Sequence, residues 1–127
     1  MGMQGGFKFE YVDSNNIQLS VTGLDSKGRV YVSDGSAILL VELTAALTAN
    51  LTNTFAGAGN RLAAHAEAAS SGYDVYLVTK AAGANPKLLF VNSGFDPAMP
   101  LGDDATYTHK STVIWFASND GSSNIRD

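Results

Sequence analysis

The sequence predicts a mainly β protein, an antiparallel β-sandwich or barrel of about seven or eight strands with one α-helix. Short segments rich in Val, Ile, Leu, Tyr and Phe recur along the chain, which is typical of strands. Clusters of Gly, Asn, Asp, Ser and Pro separate these segments, as expected of turns. A single stretch, about residues 43–56, has the apolar spacing of an amphipathic helix.

Four strands are predicted in the first third of the chain. Residues 7–13, FKFEYVD, alternate apolar and polar side chains, which indicates a strand with one buried face. Residues 17–22, IQLSVT, alternate in the same way. Residues 29–33, RVYVS, form a third segment that an Asp-Gly turn ends, and residues 37–42, AILLVE, form the fourth.

The predicted helix follows the fourth strand directly. Its apolar stripe consists of Leu43, Leu47, Leu51 and Phe55. Burying such side chains stabilises a fold by about 1.5–3 kcal/mol each, which is enough to dock one short helix. Gly57 and Gly59 are expected to end the helix. Residues 61–70, RLAAHAEAAS, are compatible with a helix or a loop, and no apolar stripe decides between the two.

The second half of the chain returns to strands. Residues 73–80, YDVYLVTK, and residues 87–92, KLLFVN, flank Ala-Ala-Gly-Ala-Asn-Pro and predict a hairpin. A long loop with two prolines, residues 93–105, follows. Residues 107–118, YTHKSTVIWFAS, predict one long strand before a turn in NDGSS.

Three of the strand segments are apolar at successive positions: Ile38–Val41, Leu88–Val91 and Val113–Phe116. Because successive strand residues point to opposite faces of a sheet, each segment is predicted to be covered on both faces. One helix covers only part of one sheet. A second sheet or another subunit must cover the rest, and the sequence leaves both possibilities open.

The composition excludes several classes of protein. The 127 residues include 45% hydrophobic and 16% charged residues, with a net charge of −4, and show no basic stripe of the kind that binds nucleic acid. There is no cysteine, so disulfides and thiolate metal sites are excluded. No apolar run is long enough to span a membrane, and the start lacks a signal-peptide pattern. We expect one soluble domain, residues 7–127, after a flexible arm, residues 1–6.

No catalytic group, cofactor site or metal site is singled out. The glycines of residues 56–61 follow a predicted helix, whereas a dinucleotide-binding loop follows a strand and opens a helix. Asp103 and Asp104 lack the alternating oxygen spacing of a calcium loop. A small hydrolase would need His109 to meet Asp103 or Asp104 in a pocket. We therefore predict a protein that is not an enzyme and that needs no cofactor and no metal.

Exposed aromatic side chains are candidates for a binding surface. Most aromatic residues are expected in the core, with Tyr31 and Tyr76 as the exceptions. Stacking on Tyr31, Tyr76 or Trp115 would suit a carbohydrate-binding module. The complete set of candidate partner or interface residues is Tyr31, Tyr76, Phe95, Asp103, Asp104, His109 and Trp115.

The order of the segments is informative beyond any single residue. AILLVEL precedes the Leu- and Thr-rich TAALTANLTNTFAGAGN, and then come YDVYLVT, a glycine hairpin, LLFVNS, a proline-spaced loop, YTHK and NDGSSNIR. This order, over roughly residues 17–126, resembles a small domain of tailed-bacteriophage virion proteins. Members of that family commonly carry basic residues and an Ile-Gly pair after Tyr-Thr, whereas His109 and Lys110 follow Tyr-Thr here.

The resemblance implies a non-enzymatic virion structural protein, either a capsid decoration protein or a component of a tail fibre or other appendage. Such a protein is expected to self-associate, as a trimer by analogy, and to bind other phage capsid or tail proteins through loops 93–105 and 119–124. It would be assembled in the host cytoplasm and reside in the virion. The alternative is a carbohydrate-binding module that recognises a host-surface glycan. Neither function involves nucleic acid or membrane insertion.

Overall fold

A computed structural model describes residues 6–23, 26–56 and 59–126, which form two open antiparallel β-sheets. The strands are β1 (Phe7–Asp13), β2 (Asn16–Val21), β3 (Gly28–Ser33), β4 (Ile38–Leu43), β5 (Leu47–Asn50), β6 (Gly72–Lys80), β7 (Lys87–Asn92), β8 (Tyr107–Lys110) and β9 (Trp115–Ser118). The smaller sheet has the order β1-β2-β5. The larger has the order β4-β3-β8-β6-β7, with β9 also paired to β6. The mainly β prediction is confirmed, and because the sheets are open the barrel alternative is wrong.

The two sheets pack against each other around a shared core. Its buried members from both sheets include Ile17, Leu19, Val30, Val32, Ala49, Val75, Leu77, Leu88 and Phe90. The polar residues between these positions on β2 and β3 are only half-buried. The alternation read from the sequence therefore reflects one face packed in the sandwich and one face directed outward.

A second core lies on the outer face of the larger sheet. Buried side chains of β6 and β7 form one side of this core. Phe55, Leu62 and Leu101 from the connecting loops pack over them. Every residue of the segment Leu88–Val91 is fully buried. The prediction that this segment is covered on both faces is confirmed, and the chain's own loops supply the outer cover.

The two other apolar segments, in β4 and around β9, are not covered on both faces, so the prediction is wrong for them. Ile38 is 70% exposed and Leu40 is 41% exposed. Trp115 is 41% exposed and Phe116 is 69% exposed. The reason lies in the loops, because those of the second core pack on β6 and β7, and no described residue of β4 or β9 belongs to that core. A continuous apolar run alone does not reveal that difference.

The described residues contain no α-helix, so the helix predicted at residues 43–56 is wrong. Helical geometry is limited to a three-residue 3-10 turn at Ala81–Gly83, and residues 61–70 form turns. The apolar stripe is instead divided between the two cores, with Leu51 in the first and Phe55 in the second. The proposed helix end at Gly57 lies outside the described residues.

Side-chain hydrogen bonds explain why the helix does not form. The Asn50 amide oxygen accepts from the Asn53 backbone N–H at 2.8 Å, and its amide nitrogen donates to the Asn16 side chain at 3.0 Å. Asn and Thr residues compete in this way with helical backbone hydrogen bonds. The segment is rich in both residue types, and its backbone forms β5 and a series of turns.

The long strand predicted at residues 107–118 is two strands, β8 and β9, on the same edge of β6. Between them the Ser111 side chain takes the place of a backbone acceptor, because its hydroxyl accepts from the Leu77 N–H at 2.9 Å. The Ser111 N–H donates to the Leu77 carbonyl at 2.8 Å. Ser111 thus satisfies both backbone groups of Leu77. The regular strand pairing with β6 is interrupted after Lys110 and resumes when β9 begins.

Residues 59–62 close one side of the sandwich by joining β5 to β7. The buried Asn60 donates from its amide to the Leu88 carbonyl at 2.7 Å and accepts from the Asn50 N–H at 2.8 Å. The Phe90 N–H donates to the Asn60 carbonyl at 2.7 Å. The edges of β5 and β7 are therefore occupied, whereas β4 and β1 end their sheets without a further strand among the described residues.

The predicted N-terminal arm falls mainly on residues 1–5, which lie outside the described residues. Gly6, its last residue, is attached to the domain because its carbonyl accepts from the Thr22 N–H at 2.7 Å and the Gly23 N–H at 3.1 Å. Gly6 is therefore part of the packed domain.

Candidate functional site

The histidine and the acidic residues required for a small hydrolase are not brought together. His109 is buried, with its Nδ1 2.8 Å from the Thr108 hydroxyl and its Nε2 3.8 Å from an Asp34 carboxylate oxygen. Asp103 accepts from the Ala63 N–H at 2.8 Å, and Asp104 accepts from Thr106. The pocket that would place His109 beside Asp103 or Asp104 is not formed.

Two carboxylates, those of Asp34 and Asp120, accept backbone hydrogen bonds that form turns. Asp34 accepts from the Ala37 and Ser36 N–H groups, both at 2.8 Å. Asp120 accepts from the Ser122 N–H at 2.8 Å and the Asn124 N–H at 3.1 Å. These backbone donors hold the pKa of each carboxyl below its usual value. Within the three described ranges, no group of three or more His, Asp or Glu side chains is placed to hold a metal ion.

Tyr76 is buried, so it is not the exposed aromatic residue that the sequence predicts. The loops of the second core cover its ring, and its hydroxyl donates to the Phe95 carbonyl at 3.2 Å. Burial raises the pKa of the Tyr76 hydroxyl. Phe95 itself is exposed and packs edge-on against His65, with ring centroids 4.4 Å apart. These two aromatic side chains stabilise a loop and do not form a free stacking platform.

His65 is a structural residue that the sequence does not single out. It is buried, and its Nδ1 accepts from the Asn92 N–H at 2.8 Å, which ties the loop after β5 to the end of β7. Burial lowers the pKa of the His65 imidazole. A histidine in an alanine-rich segment gives no sequence signal for this role.

We expect mild acid to destabilise the fold through His65. Its pKa in the folded state lies below the ordinary value of about 6.5, so the unfolded chain binds the proton more readily as the pH falls. The stabilising effect of neutral His65 is therefore present above that ordinary value and is lost as the pH decreases below it. Comparing the free energy of unfolding at pH values of about 7.5 and 5.5 measures the effect.

The variant His65→Asn is the matched control for this pH dependence. Its amide oxygen can accept the bond from the Asn92 N–H but does not titrate in this range. We expect the variant to lose most of the pH dependence. An equal loss of stability on acidification in both proteins would contradict the assignment to His65.

An uncovered apolar surface, here called the β3–β4 patch, consists of Tyr31, Ile38 and Leu40. Leu40 lies opposite Tyr31 in the antiparallel pair, and Tyr31 is half-exposed. Ile38 and Tyr31 also line a shallow groove of 270 Å³ that continues to Thr112. This patch occupies the part of the outer face that the loops of the second core leave open.

Charged residues of both signs border the β3–β4 patch. Glu42 lies 3.3 Å from the Arg29 guanidinium and 3.6 Å from the Lys27 ammonium. Lys110 lines the groove on the opposite side and forms an ion pair with Asp96. The patch is therefore an apolar centre with a mixed, nearly balanced polar border.

A second open site, the Trp115 cleft, lies between β1 and β9 and has a volume of 470 Å³. Its lining comprises Glu10, Tyr11, Ile17, Trp115, Phe116, Ala117, Ser118, Ile125 and Arg126. The Trp115 ring stacks on Phe9, with centroids 5.1 Å apart and an interplanar angle of 14°. Trp115 is thus exposed to the cleft as the sequence hypothesis of an aromatic platform requires.

Sequence reasoning selected Tyr31 and Trp115 but missed their neighbours. The strand patterns predict Ile38 and Leu40 on covered faces and Tyr11 on the buried face of β1. In each case the apolar side chain follows the strand pattern, and the loops of the second core, which bury β7, do not pack over it. The candidate residues do not form one surface, because Tyr31 and Trp115 belong to separate sites.

The structure contains no helix, among its described residues, with the length and apolar character needed to cross a membrane. Comparison with protein-family models, curated proteins and solved structures gives no match to this chain. The resemblance to phage virion domains therefore stays a prediction from the sequence.

Proposed function

We propose that this chain is a non-enzymatic bacteriophage virion structural protein that associates with copies of itself and binds other virion proteins. It would serve as a capsid decoration protein or as a component of a tail fibre or appendage. The observation that supports self-association is the uncovered β3–β4 patch. The phage assignment rests on the order of sequence segments.

The patch has the character of a protein interface because it combines exposed apolar side chains with an open strand edge. Ile38 and Leu40 are largely uncovered, and burying a side chain of this size stabilises an assembly by about 1.5–3 kcal/mol. Proteins usually protect a free edge strand with charges, prolines or bulges. β4, ILLVEL, carries the single charge of Glu42, which Lys27 and Arg29 already contact.

A second copy of this chain is the partner that fits the patch best. An apolar centre bordered by both Glu42 and the cations Lys27, Arg29 and Lys110 does not repel a copy of itself. Closed symmetric assemblies bury the same patch on every subunit, so no subunit keeps an uncovered apolar patch. By analogy with phage proteins, we expect three copies.

Sedimentation equilibrium tests the proposal. We expect a mass of about three times the 13.3 kDa chain for the unaltered protein. Ile38→Glu and Leu40→Glu should each reduce the mass to that of one chain, since each places a charge in the apolar centre. Val12→Glu is the control, because Val12 is also exposed on an edge strand but lies outside the patch. A monomeric parent protein, or Glu variants with unchanged mass, would contradict self-association through this surface.

Phage particles made without this chain distinguish its possible places in the virion. Loss of head stability would indicate a decoration protein, and loss of adsorption would indicate a tail-fibre or appendage component. Particles that keep both properties would argue against the virion proposal.

A further inference from the structure

The Trp115 cleft combines a rigid aromatic surface with polar groups whose hydrogen-bonding capacity the described residues do not fully use. Because Phe9 packs parallel to the Trp115 ring, the indole is fixed in orientation and still exposed. Ile17 and Ile125, both buried, belong to the lining and are not free to move away. The cleft volume of 470 Å³ falls within the range of about 300–1,000 Å³ that small-molecule sites occupy.

Hydrogen-bonding groups lie beside this aromatic surface. Arg126 Nε donates to the Asn119 carbonyl at 3.3 Å, which orients the guanidinium, while its two terminal nitrogens make no hydrogen bond to the described residues. The Tyr11 hydroxyl likewise has no hydrogen-bond partner in the described part of the chain. Both groups line the cleft and are free to bond to a ligand.

The electrostatic surroundings favour an uncharged ligand. Asp120, outside the lining, interacts with the positive charge of Arg126, and Glu10 is an acidic residue of the lining. An anionic ligand would meet the Glu10 carboxylate, and a cationic ligand would meet Arg126. A neutral ligand with many hydroxyl groups avoids both conflicts.

We propose that the Trp115 cleft is a binding subsite for a neutral pyranose saccharide. A pyranose ring has an apolar C–H face, which packs on the exposed face of an indole, and a rim of hydroxyl groups, which bond to polar side chains. In this site one ring stacks on Trp115, and its hydroxyl groups bond to Arg126 and Tyr11. The site is independent of the β3–β4 patch and goes beyond self-association.

Intrinsic fluorescence offers a direct test, because Trp115 is the only tryptophan of the chain. The probes are maltohexaose, cellohexaose and chitohexaose, each titrated into the full-length protein. We expect at least one to change the Trp115 emission in a saturable way, with a dissociation constant below about 10 mM. Titration calorimetry with the same probe then gives the affinities of the variants.

Two variants test the roles assigned to the cleft. Trp115→Ala is expected to weaken binding at least about tenfold, and Arg126→Gln is expected to weaken it about threefold or more. Arg126 is exposed, so its variant keeps the fold even if loss of the Phe9 contact destabilises Trp115→Ala. Phe95→Ala is the matched control, since it removes an equally exposed aromatic ring elsewhere, and its affinity should not change.

Two results would overturn the proposal. The first is no saturable response to any of the three probes, and the second is unchanged affinity in both Trp115→Ala and Arg126→Gln. Repeating the titration with the Ile38→Glu variant separates this proposal from self-association. Saccharide binding should persist in that variant, whatever its mass.

Discussion

Truncation of either Leu89 or Phe90 to alanine is expected to destabilise the protein by several kcal/mol, although the two side chains point to opposite faces of β7. Both are fully buried, Phe90 in the sandwich core and Leu89 in the second core beneath the loops. Large-to-small substitutions in close-packed cores cost about 2–5 kcal/mol for leucine and about 3–5 kcal/mol for phenylalanine. Urea unfolding of both variants measures these losses.

Ile38→Ala is the control for this pair. Ile38 is largely exposed on the edge strand β4, so its truncation should change the free energy of unfolding of the single chain by no more than about 0.5 kcal/mol. The comparison belongs at a protein concentration where the chain is monomeric, because association would add to the apparent stability. A small loss for Leu89→Ala beside a large loss for Phe90→Ala would contradict the loop cover on the outer face.

Gly59→Ala is expected to destabilise the protein by a similar amount, because the added Cβ atom would collide with the backbone of Asn53. A Cβ atom at this position would lie 2.0 Å from the Asn53 carbonyl oxygen and 2.3 Å from its carbon. That carbonyl also accepts from the N–H groups of Asn60 and Arg61, so it cannot move aside without breaking the connection between β5 and β7. We expect a loss of about 3 kcal/mol or more, or failure to fold.

Gly102→Ala is the matched glycine control. No atom lies within 4 Å of a Cβ built at Gly102, and the change should therefore alter stability by less than about 1 kcal/mol. Comparing the urea unfolding midpoints of the two variants with that of the parent protein measures both losses of stability. A Gly59→Ala protein as stable as its parent would show that Gly59 and Asn53 do not pack as closely as described.

The strands of the sandwich could be predicted because their pattern is local. Alternation in β1 to β3 and the hairpin of β6 and β7 follow directly from side-chain period and turn residues. The helix prediction failed because apolar residues spaced by four also suit a strand followed by turns. The Asn and Thr content of residues 44–54 argues against a helix and was the sequence signal available.

The two candidate sites could be predicted only in part. Trp115 is among the candidate residues that the sequence singles out, but Arg126 and Tyr11 come from distant parts of the sequence. Leu88–Val91 and Ile38–Val41 have the same apolar pattern, and both lie in strands at the ends of the larger sheet, yet loops cover the outer face of the first and leave Ile38 and Leu40 exposed. A single sequence does not show which strands the loops pack over, and that packing decides the difference.

The central claim is that the chain covers the outer face over β6 and β7 itself and leaves the β3–β4 patch to another copy. Amide hydrogen exchange at low and high protein concentration tests it most directly. We predict that peptides from β4, Ile38–Leu43, become more protected as the concentration rises, whereas peptides from β7, Lys87–Asn92, are strongly protected throughout. Protection of β4 that does not depend on concentration, or weak protection of β7 in the monomer, would contradict the claim.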